Sequence, residues 1–382
     1  MRPLPLLLIW LSLALPGVAR AQAPAAVPRI DERVAQIAQT KPGAPWAFIG
    51  YAITPPGNAN WFVADGTPRG GTMGRQLSVT EPHTAVLVLS SESVEKAVDS
   101  DTALLELARA RHAKIGERWS VQRHEESIVR HAGTRCARHV IEAREPEDRS
   151  PRKDSDKANA RRTSLHVTGL SCMHPNDPTV LVEVGVSERS REAAMTPEVR
   201  KDADAVITSL AFHRYSEDAL QKSAEVARTS GLAAAEAVLK PYLDANAAWA
   251  RYFMAQILER ASPPPDNVGA RLRALLEPAA ERGLADAQWA LGRLYLRGAP
   301  GLDKDPARAE TLLRRAAERG SPGAAFQLGL SRLSGADGIA ADSREAALWI
   351  QRAAFRGQME AQEMLSGAQK PAQKPAPAPS QR

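Results

Sequence analysis

Only two cysteines occur in 382 residues, and neither C-x-x-C nor H-x-x-x-H is present. Zinc sites generally hold their ion through such paired short spacings, so their absence argues against that class. Gly-x-Ser-x-Gly is missing too, which removes the nucleophile elbow of the common hydrolase fold. Gly70-Gly71-x-x-Gly74 lacks the following Lys-Ser or Lys-Thr of a phosphate loop and reads as a flexible turn. Net charge is small as well: 50 Lys and Arg stand against 44 Asp and Glu, a formal +6 spread along the chain, which argues against a nucleic-acid role. Beyond residue 15 no apolar run reaches the ~20 residues of a membrane span.

The one long apolar run, Leu6 to Leu15, follows Arg2 and is closed by Pro16, Gly17 and the frame Ala19-Arg20-Ala21. This is the pattern of a cleavable export signal, expected over 1–21 with cleavage after Ala21. No cysteine lies near that point, so no lipid anchor is expected. Loss of Arg2 and Arg20 takes two charges from +6 and leaves +4. The expected location is periplasmic or secreted.

Composition divides the remainder. All eight histidines and both cysteines precede residue 214, whereas Ala, Leu, Arg and Glu dominate from about 216. The expected organisation is a lead segment over 22–45 with a short helix around Ile30 to Ile37, an α+β domain over 46–215, a helical repeat domain over 216–367 and a disordered tail over 368–382. The fold class is therefore an α+β sheet domain followed by an all-α solenoid of short helix-turn-helix repeats.

The helical part repeats itself. Ala279-Ala280-Glu281-Arg282-Gly283 returns as Ala316-Ala317-Glu318-Arg319-Gly320 and as Ala353-Ala354-Phe355-Arg356-Gly357, a period of 37 residues. Ala287, Leu291, Leu294 and Tyr295 mark one helix stripe, ended by Gly298; Asp305-Pro306 caps and opens the next helix. In the following unit Asp342 with Glu345 spells a capping box. Gly320 and Gly357 are suited to left-handed C-terminal turns. These residues resemble the Sel-one-like repeat family, relatives of the tetratricopeptide repeats, over Leu284 to Gly320 and Ser321 to Gly357. Upstream, Ala248-Trp249-Ala250 and Leu276 to Ala280 resemble a decayed unit. The resemblance implies an α/α solenoid that binds partner proteins and carries no catalytic residue set.

Trp289 and Phe326 share one repeat position, and Arg293 and Arg297 lie on the helix of Trp289. The four are the candidate partner-binding residues, an aromatic and basic patch for a peptide or acidic helix. Packing between helices is the competing and favoured role for the two aromatics, and solvation that for the arginines.

In the α+β part, Trp46 to Ile53, Trp61 to Ala64 and Thr84 to Ser90 read as strands. Ser100 caps a helix from Asp101 to Ile115, and strands follow at Trp119 to Arg130, Thr134 to Ala143 and Ser164 to Leu170. Strict alternation of Val180, Val182, Val184 and Val186 marks a buried sheet face. The charged segment 144–162 is an exposed loop, and Cys136 and Cys172 lie symmetrically about it, so an antiparallel hairpin sets them opposite each other. In an oxidising compartment that predicts a disulfide, which constrains the unfolded chain by about 4 kcal/mol. The alternatives are a metal site drawing Cys172 and His174 together with His139 and His166, and a redox sensor at Cys136 and Cys172. Thr196-Pro197 opens a last helix, and the Ala203 to Phe212 ending resembles the terminal helix of PsbP-like or Mog-type α+β domains, implying ligand or protein docking.

The sequence thus reads as an exported, non-catalytic adaptor that binds a protein partner through its repeats, with no catalytic, cofactor or metal residues assigned. The alternative is an envelope enzyme or small-ligand receptor with its site in the α+β domain.

Overall fold

The alternating valines Val180, Val182, Val184 and Val186 sit at the middle of a seven-stranded antiparallel sheet, their side chains buried on one face. A computed structural model describes residues 45–56, 61–78, 81–146, 163–335 and 338–369. The expected export signal, the lead-segment helix, most of the charged loop 144–162 and the tail from 370 lie outside the described residues.

The strands of this sheet are β3 (Phe62–Thr67), β4 (Gly70–Gln76), β5 (Thr84–Ser93), β6 (Ser120–His131), β7 (Thr134–Arg144), β8 (Ser164–His174) and β9 (Asp177–Ser190), in the order β3-β4-β5-β9-β8-β7-β6. A three-stranded sheet joins β1 (Trp46–Ala47), β2 (Tyr51–Ile53) and β10 (Ala211–Phe212). The expected single strand over Trp46 to Ile53 is broken because Gly50 adopts φ +85°, turning Tyr51 back to accept from the Phe48 amide at 2.8 Å.

The glycines at 70, 71 and 74 are not a flexible turn: they lie within β4. A Cβ on Gly74 would fall 2.6 Å from Phe62 Cζ, and one on Gly71 would fall 3.2 Å from the Trp46 ring. The missing side chains of Gly71 and Gly74 make room for aromatics, and that of Gly70 for the backbone of Leu89, a role that resembles a loop signature in sequence.

The expected helix after Ser100 is α1 (Asp101–Gly116), its first turn capped by the Ser100 hydroxyl accepting from Ala103 N. It covers one end of the outer face, where Leu104 and Ala108 pack on Ala137, Met173 and Leu181. The inner face is covered by α2 (Pro197–Ser209) through Val199, Ala203 and Val206. The segment to Phe212 is not helical throughout: α2 ends at Ser209, and the last two residues pair with β2.

Among the described residues from 217 to 369 the elements are helices: α3 (Glu217–Thr229), α4 (Leu232–Asp244), α5 (Ala248–Glu259), α6 (Val268–Glu281), α7 (Ala285–Arg297), α8 (Pro306–Glu318), α9 (Pro322–Ser334), α10 (Ser343–Phe355) and α11 (Met359–Gln369). Successive helices pack as antiparallel neighbours with alanines on their inner stripes. Leu239, Trp249 and Met254, from α4 and α5, belong to the same buried cluster as the inner face of the large sheet. Trp249 Nε1 donates to Arg214 O at 2.8 Å. Sheet and first helices thus share one core. Asp342 caps α10 through the Arg344 and Glu345 amides, but the Glu345 carboxylate does not close the expected box. It pairs instead with Arg314 and Arg332, and accepts from Trp349 Nε1 at 3.1 Å.

Candidate functional site

The repeated Arg-Gly at the end of each unit forms the edge of the solenoid that meets the sheet. Gly283, Gly320 and Gly357 all have positive φ, +88°, +91° and +87°, as left-handed C-terminal turns require. The turn at Gly320 sits against Asp65 and Gly66 of β3; a Cβ on Gly66 would fall 2.1 Å from Arg319 O. Arg319 donates to Pro45 O at 3.1 Å and to Gln288 Oε1 at 3.2 Å. Arg356 donates to Val63 O at 2.7 Å, Ala64 O at 3.1 Å and Ala317 O at 2.9 Å. Burial draws both guanidinium pKa values down, to about 10 in each case. Strand β3 is a sheet edge with a register shift between Val63 and Asp65, and Arg356 caps its free carbonyls there. Beside this contact lies a cavity of about 260 Å³ lined by Pro45, Trp46, Pro55, Gln288, Glu318 and Arg319 among others.

The four residues predicted to bind a partner are only partly together. Trp289 and Arg293, on α7, form a cation–π pair with the guanidinium 5.3 Å from the ring centroid. Trp289 also lies on Gly323 of α9, where a Cβ would approach its ring to 2.6 Å, and its Nε1 is buried with no hydrogen-bond partner. Phe326, one turn further along α9, is half-buried against the repeat core. Arg297 is exposed and turned to α5, where it pairs with Glu259.

Cys136 and Cys172 are directly paired in register and joined by a disulfide, with Cα atoms 4.0 Å apart. Both are fully buried on the inner face, which denies an exchanging thiol access and leaves the bridge a structural crosslink. Cys172 therefore has no free thiolate to offer a metal. His174 is committed as well: Nε2 donates to Gly50 O at 3.0 Å and His213 O at 2.9 Å, while Nδ1 accepts from Asn176 N. Burial lowers its pKa, and that of His213. His166 faces the inner side, opposite to His139, since their registers differ by an odd number of positions. Those four do not converge.

His139 instead joins residues that sequence reasoning missed. On the outer face its ring lies 4.1 Å from that of His112 on α1, and His112 is 5.8 Å from His124 on β6. Glu126 is paired directly across from His139. Gly169 opposite His139 makes the room, since a Cβ there would come within 2.7 Å of His139 Nε2. Burial, then the neighbouring His112 and His124, pushes the His139 pKa down to about 3, and burial also lowers that of His112. These groups flank a cleft of about 690 Å³ between α1 and the sheet, lined by Val88, Arg111, His112, His139, Val167 and Glu183 among others. The signal available in sequence was His124-Glu125-Glu126, whose i, i+2 pair shares one strand face.

The family pattern described as "Sel1 repeat" matches residues 285–321 and 322–357. Both units are Sel1 repeats. A crystal structure of a Sel1 repeat protein from Oxalobacter formigenes is similar to this chain at 26% identity, covering 38% of this chain and 57% of that one, with a TM-score of 0.32. The structure of c5321, a protective antigen of uropathogenic Escherichia coli strains displaying an SLR fold, is 21% identical over 39% of this chain and 40% of that one, with a TM-score of 0.26. The chain thus spans little over half of the first and less than half of the second. No curated protein matches it.

Sel1 repeats are in general protein-interaction modules, and the end of the second repeat with the helix after it offers an apolar feature that the sequence reading missed. Phe355, in the repeat position held by Glu281 and Glu318, and Met359, at the start of α11, are each 68% exposed. Among the described residues no helix is long and apolar enough to cross a membrane.

Proposed function

We propose that the protein is an exported, non-catalytic adaptor that holds a partner protein through its Sel1 repeats. The observation that carries the reading is the pair of Sel1 repeats with Phe355 exposed at their end and Met359 exposed on the helix that follows, beside the Arg356 contact to the sheet. Large apolar side chains at such exposure serve as anchors that a partner desolvates. The Cys136–Cys172 disulfide supports an oxidising compartment, in keeping with the expected export signal.

The test is crosslinking and affinity capture in cells with point variants of the full chain. Truncation after residue 215 would remove Trp249 and Met254 from the core of the sheet and is unsuitable. The F355S/M359S double variant is expected to lose the captured partner while its melting temperature stays near that of the parent, since both side chains are exposed. Equal capture by parent and variant would move the interface elsewhere, and no capture by either would end the adaptor reading. A second reading, a small-ligand receptor, draws on the 690 Å³ outer cleft with its histidines.

A further inference from the structure

Beside the outer cleft, sharing its His112, lies a set of side chains that the adaptor reading does not use. His124 and Glu126 are two residues apart on edge strand β6 and project from one face, and His112, near the C-terminal end of α1, descends onto them. Their ligand-type atoms, one from each residue, all lie within 4.8 Å of one another. Glu126 Oε1 is 3.0 Å from His124 Nε2, out of hydrogen-bond alignment, and 3.9 Å from His112 Nδ1. His112 Nδ1 is buried with no hydrogen-bond partner, and so is Nδ1 of the adjacent His139, a residue only 4% exposed. Unpaired buried polar atoms are costly, and His112 Nδ1 and Glu126 Oε1, both without a hydrogen-bond partner and 3.9 Å apart, are satisfied by a cation between them.

We propose that His112, His124 and Glu126 bind a zinc-class divalent ion that clamps α1 to the edge of the sheet. Two imidazoles and a carboxylate are a ligand set that suits zinc. Zinc bonds of about 2.0–2.1 Å in tetrahedral geometry set ligand atoms about 3.3 Å apart, close to the 3.0 and 3.9 Å separations here. Small χ rotations of His112 and of the more exposed His124 supply the rest. Glu126 is already oriented from behind: Arg109 Nε donates to Oε2 at 2.6 Å, leaving Oε1 for the ion. With one ligand on α1 and two on β6, binding favours the folded state by linkage and raises the melting temperature.

The experiment is calorimetric titration of the tag-free, chelator-treated full chain with zinc chloride, together with thermal melts with and without zinc. The expected result is one ion per chain and a melting temperature that rises with zinc. In His124→Ala and in Glu126→Gln, affinity falls by more than about tenfold and the thermal shift disappears. Both variants keep the fold, because His124 is on an exposed edge strand and glutamine preserves the shape of Glu126; circular dichroism checks this. Absence of zinc uptake, or uptake with unchanged affinity in both variants, overturns the proposal.

Discussion

Arg356 and Val63, 293 residues apart, are joined by a 2.7 Å hydrogen bond from the arginine Nη2 to the backbone carbonyl. The same guanidinium reaches Ala64 O and Ala317 O, so one side chain ties the bulged sheet edge to two turns of the solenoid. Replacing Arg356 by alanine leaves those carbonyls without a donor at a partly buried contact. The expected cost is about 1–3 kcal/mol. Hydrogen exchange should show faster exchange around Val63 to Asp65, whereas an unchanged pattern would make the contact energetically idle.

Reduction of the disulfide should lower stability throughout the sheet domain. A sequence separation of 36 residues corresponds to about 4 kcal/mol in the chain-entropy account. Melts of the parent with and without a reductant, compared with the C136A/C172A double variant, measure it. Reduced parent and double variant should melt at similar temperatures.

His174 and His213 predict a loss of stability on acidification. Burial lowers both pKa values in the folded chain, so between the unfolded value of about 6.5 and the lower folded values the unfolded state binds more protons. Their contribution is complete above about pH 6.5 and is lost as pH falls, at up to about 1.4 kcal/mol per pH unit for each group. Denaturant melts from pH 7.5 to pH 5 should show this slope, and His174→Gln should flatten it. A slope of opposite sign would contradict the buried, backbone-bonded state of His174.

Gly323→Ala should destabilise the repeats without disturbing the sheet. The added Cβ would stand 2.6 Å from Trp289 Cζ2, and overpacking of this kind costs about 1–3 kcal/mol. The fluorescence of Trp289 should change with it, since the ring must move and its pairing with Arg293 with it. The W289F background provides the comparison in which the clash is relieved.

The features legible in sequence were those with a local period. The 37-residue recurrence, the Asp305 and Asp342 caps and the Gly320 and Gly357 turns each depend on residues a few positions apart, and the helices follow them. The disulfide was legible for a related reason: antiparallel pairing about a charged loop fixes which residues face each other, and Cys136 and Cys172 met that condition. Gly70, Gly71 and Gly74 misled because a glycine that clears space for the Leu89 backbone, Trp46 or Phe62 has the same letter as one that makes a turn.

What only the tertiary structure decided is which surfaces meet. The repeat recorded an arginine before each turn glycine, but not that Arg319 and Arg356 would find the carbonyls of Pro45, Val63 and Ala64. Likewise His112 and His139 share no spacing with the His124 and Glu126 pair on β6, and the packing of α1 across β6 and β7 makes the four neighbours. Local pattern determines the elements because their hydrogen bonds and apolar faces repeat along the chain. Contacts between elements carry no such period, because burial of nonlocal faces selects them.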